Sequence, residues 1–225
     1  MAKKTEDVLD INESINKAET FIENNKKSLI IIVIAIVVVL AGYLAYTNFW
    51  LKPQELKAQS AIFPAQFHFK NDSTDLAING KGTTMGFKQI AAEYGSTKSG
   101  NLAHYYLGMC YMKKGQWQEA IDALMDYDAE DDVTGALALG AIGDAYSELG
   151  NKDEALNYYK KATAWDNNSF TAPYFLKKQG FAFESKGDFK SAVDVYTKIQ
   201  TGYSKSDEAR DIEKYITRAN AKAGN

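Results

Sequence analysis

A single cysteine, Cys110, is all the thiol that the 225-residue chain contains. One thiol forms no intramolecular disulfide and no cysteine-rich metal site. It also lies far from residue 1, so no lipid-modified cysteine is expected there. Histidine is almost as scarce, with only His68 and His104. His68 has no acidic or cysteine neighbour at a metal-ligand spacing. His104 and Cys110 are six residues apart on one helix, about 240° around its axis, so they do not face each other as base and nucleophile. Cys110 is expected to fill a small core position instead. Positive charge is not in excess, because 26 Lys and Arg stand against 29 Asp and Glu, a net charge of −3. Nucleic-acid affinity draws on clustered Lys and Arg, and no basic stripe appears, so that function is excluded. Neither a glycine-rich phosphate loop nor a nucleophile elbow occurs. Glu130, Asp131 and Asp132 read as solvated or capping acids. No catalytic residue, metal site or cofactor is expected, and the chain is not predicted to be an enzyme.

What the chain does have is an uncharged run from Leu29 to Tyr46, LIIIVIAIVVVLAGYLAY. With Thr47 to Leu51 it approaches the roughly 20 apolar residues that cross about 30 Å of hydrocarbon. Tyr43, Tyr46, Phe49 and Trp50 crowd its C-terminal end, where amphipathic rings favour a lipid–water interface. The spacing predicts a transmembrane helix over 29–51. A cleaved signal peptide with a site near Val39-Leu40-Ala41 is the competing reading. A long acidic segment before the run and apolar residues after it weigh against that reading. Lys26 and Lys27 directly precede the run, which predicts a cytoplasmic N-terminus and an outward C-terminus, periplasmic in a Gram-negative cell.

Residues 1–28 form an amphipathic segment. Val8, Ile11, Ile15, Ala18 and Ile22 recur at alternating spacings of four and three, a single helical stripe. Acids on its polar face speak against lying on anionic lipid. Docking on a partner helix, self-association and a merely solubilising role remain open.

Downstream, three segments align on small residues. Gly108, Gly143 and Gly180 match, as do Gly115, Gly150 and Gly187, and Ala120, Ala155 and Ala192; the glycines repeat after 35 and then 37 residues. This is close to the tetratricopeptide period of 34. The segments, NLAHYYLGMCYMKKGQWQEAIDAL and its two successors, resemble the tetratricopeptide repeat family. The resemblance implies an all-α solenoid of antiparallel helix pairs. In it the first-helix glycines face the second-helix alanines. Tyr111, Tyr146 and Phe183 fill the core opposite Leu124, Tyr159 and Tyr196. The later glycines end each first helix in a left-handed conformation. The family's closing proline is replaced by Asp132, Asn167 and Ser204. Tyr127 and Ile199 replace a small residue, and Gln179 sits where Leu107 and Ile142 are apolar.

In the family, one face of each first helix lines a groove for partner segments. Carried over, the groove residues are Leu102, Tyr105, Met109, Met112 and Lys113 in the first unit. The second contributes Leu137, Asp144, Ser147 and Glu148; the third, Tyr174, Lys177, Phe181 and Glu184. Family members that clamp a C-terminal carboxylate need Lys and Asn where Tyr105 and Met109 stand, so that function is not implied.

The units are placed at 101–134, 135–172 and 173–206. A capping helix over 207–225 presents Ala209, Ile212, Ile216 and Ala219 at helical spacing. Residues 52–100 read as a divergent N-terminal repeat. In it Pro64 bends or breaks the first helix, and Asn79-Gly80 with Gly82 marks a turn.

This order of a short tail, one membrane helix and a repeat domain with a degenerate start resembles the YfgM-like ancillary subunits of the Sec translocon. The segment FKQIAAEYGSTKSGNLAHYYLG, entering the first good repeat, is similar to that family's entry segment. The resemblance implies an inner-membrane protein whose partners are Sec channel subunits and a membrane-anchored periplasmic chaperone, with a role in handling secreted proteins. An adaptor of outer-membrane assembly or another secretion machine, and a membrane regulatory sensor, are the alternatives.

Overall fold

The computed structural model describes residues 2–165 and 169–224, and of residues 2–16 the backbone alone. The chain divides into two compact units, Met1–Pro53 and Gln54–Asn225.

The first unit is a helix, α1 (Ala2–Ala45), followed by a six-residue π-helical turn, Tyr46–Leu51. β-branched residues dominate the apolar run, yet it is helical. Without a pairing strand, only a helix satisfies its own backbone hydrogen bonds. Its most apolar 18-residue window has a mean hydropathy of 3.0 and no buried residue. By length and composition it can cross a membrane. The π turn falls where polar residues return. Thr47 Oγ1 and Asn48 Nδ2 donate to the Leu44 carbonyl at 3.1 and 2.8 Å. The rings of Tyr46 and Trp50 stack at 5.2 Å. Ala18 and Ile22 of the N-terminal stripe are exposed; the side chains of Val8, Ile11 and Ile15 lie outside the described residues.

The second unit opens with α2 (Lys52–Lys70), α3 (Thr74–Asn79), a two-stranded antiparallel hairpin and α4 (Phe87–Tyr94). The hairpin pairs β1 (Gly80–Lys81) with β2 (Thr84–Met85), Gly80 opposite Met85. One sequence expectation is corrected here. Pro64 does not break α2, because Ile62 and Ala65 on either side are buried and hold the helix through it. The turn marked by Asn79-Gly80 and Gly82 is the loop of the hairpin, with α3 directly before it. Gly82 in the hairpin loop has a φ of 62°, in the region that favours glycine.

Three helix pairs follow: α5 (Lys98–Lys114) with α6 (Trp117–Met125), α7 (Asp132–Glu148) with α8 (Lys152–Trp165), and α9 (Thr171–Ser185) with α10 (Phe189–Gly202). A 3₁₀ turn, Glu208–Asp211, and α11 (Ile212–Ala223) pack on α9 and α10. Each α5, α7 and α9 runs into a glycine of positive φ: Gly115 at 69°, Gly150 and Gly187 at 78°.

Packing inside each pair depends on a missing side chain. A Cβ built on Gly108 would lie 2.5 Å from Leu124 Cγ. On Gly143 it would lie 2.7 Å from the Tyr159 ring, and on Gly180 2.1 Å from the Tyr196 ring. The first-helix glycines thus face the large residue one turn beyond the expected alanine. Ala120 and Ala155 approach mainly through their carbonyls, at 3.3 and 3.2 Å. The buried rings are therefore those of the second helices, Tyr159 and Tyr196. Tyr111, Tyr146 and Phe183, expected to fill the core, are only half-buried at its margin. The same device links neighbouring pairs, since a Cβ on Gly140 would lie 1.9 Å from the Phe175 ring.

The positions that depart from the family pattern are accommodated in the junctions. Buried Gln179 donates to Thr163 Oγ1 at 2.7 Å and the Tyr159 carbonyl at 3.3 Å, so it ties α9 to α8. The Tyr127 hydroxyl and Thr134 Oγ1 share a hydrogen bond of 2.7 Å, and Ile199 is fully buried. Asp132, where the family has a proline, begins α7, and Asp131 directly before it caps the helix by accepting from the Val133 and Thr134 amides. Asn167 lies outside the described residues.

Replacing Gly180 with alanine forces a methyl into a fully buried ring, an overpacking that typically costs about 1–3 kcal/mol. Better helix propensity offsets about 1 kcal/mol of it. Gly202→Ala, with no atom within 4 Å of the added Cβ, meets no such clash. Thermal melts should show a lower Tm for the first variant and an unchanged or higher one for the second.

Candidate partner-binding cleft

The first helices lie side by side, with α7 in contact with both α5 and α9. Near their C-terminal ends they enclose a cleft of about 580 Å³. Met112 of α5 and Trp117 of α6 form one wall, and Phe181, Ala182 and Ser185 of α9 the other. Asp144, Ser147 and Glu148 of α7, Tyr159 of α8 and Lys178 of α9 complete the lining. Next to it, Tyr174, Lys177, Lys178 and Phe181 border a second cleft of about 470 Å³, closed by Asp207, Glu208 and Tyr215.

The charges at the site are arranged in a repeating pattern. The Tyr159 hydroxyl and Lys178 Nζ both donate to Asp144 Oδ1, each at 2.7 Å. Burial disfavours the Lys178 ammonium, but the Asp144 carboxylate outweighs it and holds its pKa above the ordinary value. Burial, with Asp144 alongside, pushes the Tyr159 phenol up. In the next pair, Glu184 Oε1 accepts from the Tyr196 hydroxyl at 2.8 Å and from Arg218 at 2.6 Å. Each acid binds the tyrosine of its own second helix and a cation 34 residues ahead, on the next helix of the stack. Burial raises the Glu184 pKa, but the bonds from Arg218 and Tyr196 prevail and leave it low. A depressed carboxylate stabilises the fold above its unfolded pKa, and that contribution is lost as pH falls through the folded value.

Of the residues expected in the groove, Met112, Asp144, Ser147, Glu148 and Phe181 meet in the first cleft. Tyr174, Lys177 and Phe181 meet in the second. Leu102, Tyr105, Met109 and Leu137 pack instead onto the core clusters between helices. Tyr105 is fixed against the rings of Tyr106 and Tyr127. Lys113 turns towards α2, with Nζ 2.7 Å from Asp72 Oδ1 and 4.4 Å over the Phe69 ring. Glu184 is held by Tyr196 and Arg218.

Sequence reasoning missed Trp117, Tyr159, Lys178, Ala182 and Ser185. Lys178 was within reach, since it falls four residues after Tyr174 and three before Phe181, on one helical face. Trp117 begins α6 and heads its apolar stripe with Ala120, Ile121 and Leu124, which reads as core rather than cleft. Cys110 is buried with its thiol pushed up to about 12, and His104 is lowered by burial against a weaker pull from Asp126. Neither lines a cleft. Among the described residues, no group of three His, Cys, Asp or Glu could hold a metal ion. A further exposed apolar face runs along α2, carrying Leu56, Phe63 and Phe67.

Family models described as tetratricopeptide repeat match residues 102–125 and 136–169. The chain carries tetratricopeptide repeats. Two curated proteins are similar over part of their length. Tetratricopeptide repeat protein 29 of Macaca fascicularis is 28% identical over 112 residues, 46% of this chain and 24% of that protein. The uncharacterized protein ycf37 of Guillardia theta is 30% identical over 99 residues, 42% of this chain and 54% of that protein. The chain thus spans about a quarter and about half of these relatives. Among solved structures, the TPR-like repeats of a kinesin light chain from Podosopora anserina superpose with a TM-score of 0.55 at 16% identity. That match covers 75% of this chain and 87% of that one. MamA superposes at 0.53 with 19% identity, over 76% and 92% of the two chains. At these identities the likeness concerns the fold, a tetratricopeptide solenoid whose third pair, α9 and α10, follows the two matched repeats.

Asp144→Ala removes the acceptor of two donors and leaves the partly buried Lys178 ammonium without its carboxylate. Losses of this kind run to about 1–3 kcal/mol. Lys178→Met leaves no buried cation behind and should cost less. Chemical denaturation of both variants gives the order, and the reverse order would contradict the role assigned to Asp144.

Proposed function

We propose that the chain is a membrane-anchored tetratricopeptide scaffold that holds partner segments in the cleft between α5, α7 and α9. The observation that carries this reading is that three successive helix pairs contribute to one concavity. Its walls are Met112, Trp117 and the exposed Phe181. Aromatic and methionine side chains that stay uncovered on a folded domain suit adaptable apolar recognition. Leu29–Leu51 anchors the protein, with Lys26 and Lys27 on the cytoplasmic side and the repeats on the other.

Within that class, an ancillary subunit of the Sec translocon in a bacterial inner membrane fits the architecture best. The scaffold would there assist periplasmic handling of secreted proteins, beside a membrane-anchored chaperone. The apolar face of α2 supports a neighbour close to the bilayer, because it begins within a few residues of the anchor and leaves Leu56, Phe63 and Phe67 uncovered. Adaptor work in outer-membrane assembly and sensing through residues 8–22 are the competing functions.

Photo-crosslinkers placed at Phe63 and Phe181 in native membranes test this directly. Sec channel subunits should be the main product at Phe63. Outer-membrane assembly factors, or a cytoplasmic regulator captured from Ile11, would instead favour the respective alternative. Serine at both Met112 and Phe181 should abolish capture in the cleft while circular dichroism stays unchanged; capture that persists would reject the cleft.

A further inference from the structure

We infer that the cleft selects segments that pair an apolar side chain with a lysine or arginine, and turns acidic tails away. This rests on the cleft being the partner site. The lining holds one cation, Lys178, whose Nζ is bound 2.7 Å from Asp144 Oδ1. The Tyr159 hydroxyl donates to the same oxygen. The Lys178 charge is thereby balanced by the Asp144 carboxylate, and the Tyr159 hydroxyl proton is already engaged. Outside the lining, Lys186 is paired with Asp153, while Lys152 gives its Nζ to the neutral Ser185 carbonyl at 2.7 Å and keeps its charge.

Glu148 stands differently. It lines the cleft, is exposed, and has no hydrogen bond or ion pair among the described residues. The lining's one uncompensated charge is therefore negative. It stands at the same concavity as Met112, Trp117 and Phe181. A lysine or arginine can lay its methylene stem along such a wall and keep its charged head at the carboxylate. A guanidinium gains further from an aromatic face. An acidic segment entering the same space meets Glu148 as a like charge and finds no uncompensated cation in the lining.

The test uses the full chain in lipid nanodiscs of neutral headgroups. Three labelled twelve-residue peptides share the same Leu and Phe positions and differ only in carrying lysine, glutamine or glutamate at the rest. Binding is read by anisotropy. The lysine peptide should bind about fivefold or more tighter than the glutamate peptide, the scale of exposed charge pairs. The gap should narrow as salt is added. Glu148→Lys, a surface change that leaves the core untouched, should reverse the order. Equal or tighter binding of the glutamate peptide, or a lysine preference that survives Glu148→Lys, overturns the inference. If binding is lost on Phe181→Ser but ignores peptide charge, the cleft stands and the charge selection falls. If neither Phe181→Ser nor Met112→Ser weakens any peptide, both fall.

Discussion

Two helices can lie as close as α7 and α8 do only if one of them omits a side chain at the crossing. Gly143 provides that space, and Tyr159 fills it; Gly180 and Tyr196 repeat the arrangement, and Gly108 with Leu124 shows it without a ring. A close-packed interior has no slack for another methyl there, because protein cores already pack at crystal-like density. The spacing within each pair, and hence the stacking of one pair on the next, follows from these contacts. Gly140 extends the same constraint across the repeat boundary by admitting Phe175.

The interlock has a chemical consequence. A tyrosine laid across a glycine carries its hydroxyl beyond the crossing, towards the first helix. In the second and third pairs an acid waits there, Asp144 or Glu184, and a cation from the following helix completes the group. Core packing and surface charge are thereby joined. The stack is tied along its length, and Lys178, the cation of the cleft lining, is neutralised by Asp144. Met112, Trp117, Phe181 and Ala182 give the cleft its apolar surface, and among the described residues Glu148 is the one charged group of the lining without a charged partner. The lone cysteine, Cys110, is buried and its thiol is held far from ionisation.

Much of the fold was legible because its signals are local. Recurrent glycines and alanines gave the repeats, left-handed glycines ended the first helices, and an uncharged run marked the apolar helix. What was not legible depends on contacts between distant residues. Pro64 reads as a helix breaker until buried Ile62 and Ala65 are seen to hold it. Tyr105 and Met109 share a helical face with Met112, which lines the cleft, but Tyr127, an unusually large junction residue, packs against Tyr105 and draws it inward. Lys113 leaves the groove for Asp72, some 41 residues earlier, a pairing without any sequence signal. Lys178 lies on the face of α9 that carries Tyr174 and Phe181, whereas Trp117 enters from the start of α6, a second helix to which the repeat pattern assigns no groove residue.

The glycine interlock is most directly tested where no polar group complicates it, at Gly108 and Leu124. A double-mutant cycle of Gly108→Ala and Leu124→Ala measures whether the two positions share one volume. Each single variant should destabilise the domain, the leucine truncation by about 2–5 kcal/mol. The double variant should recover at least about 1 kcal/mol relative to the sum, within the range seen for residues in contact. Losses that simply add would show that the glycine does not make room for the leucine, and the packing described for all three pairs would have to be abandoned.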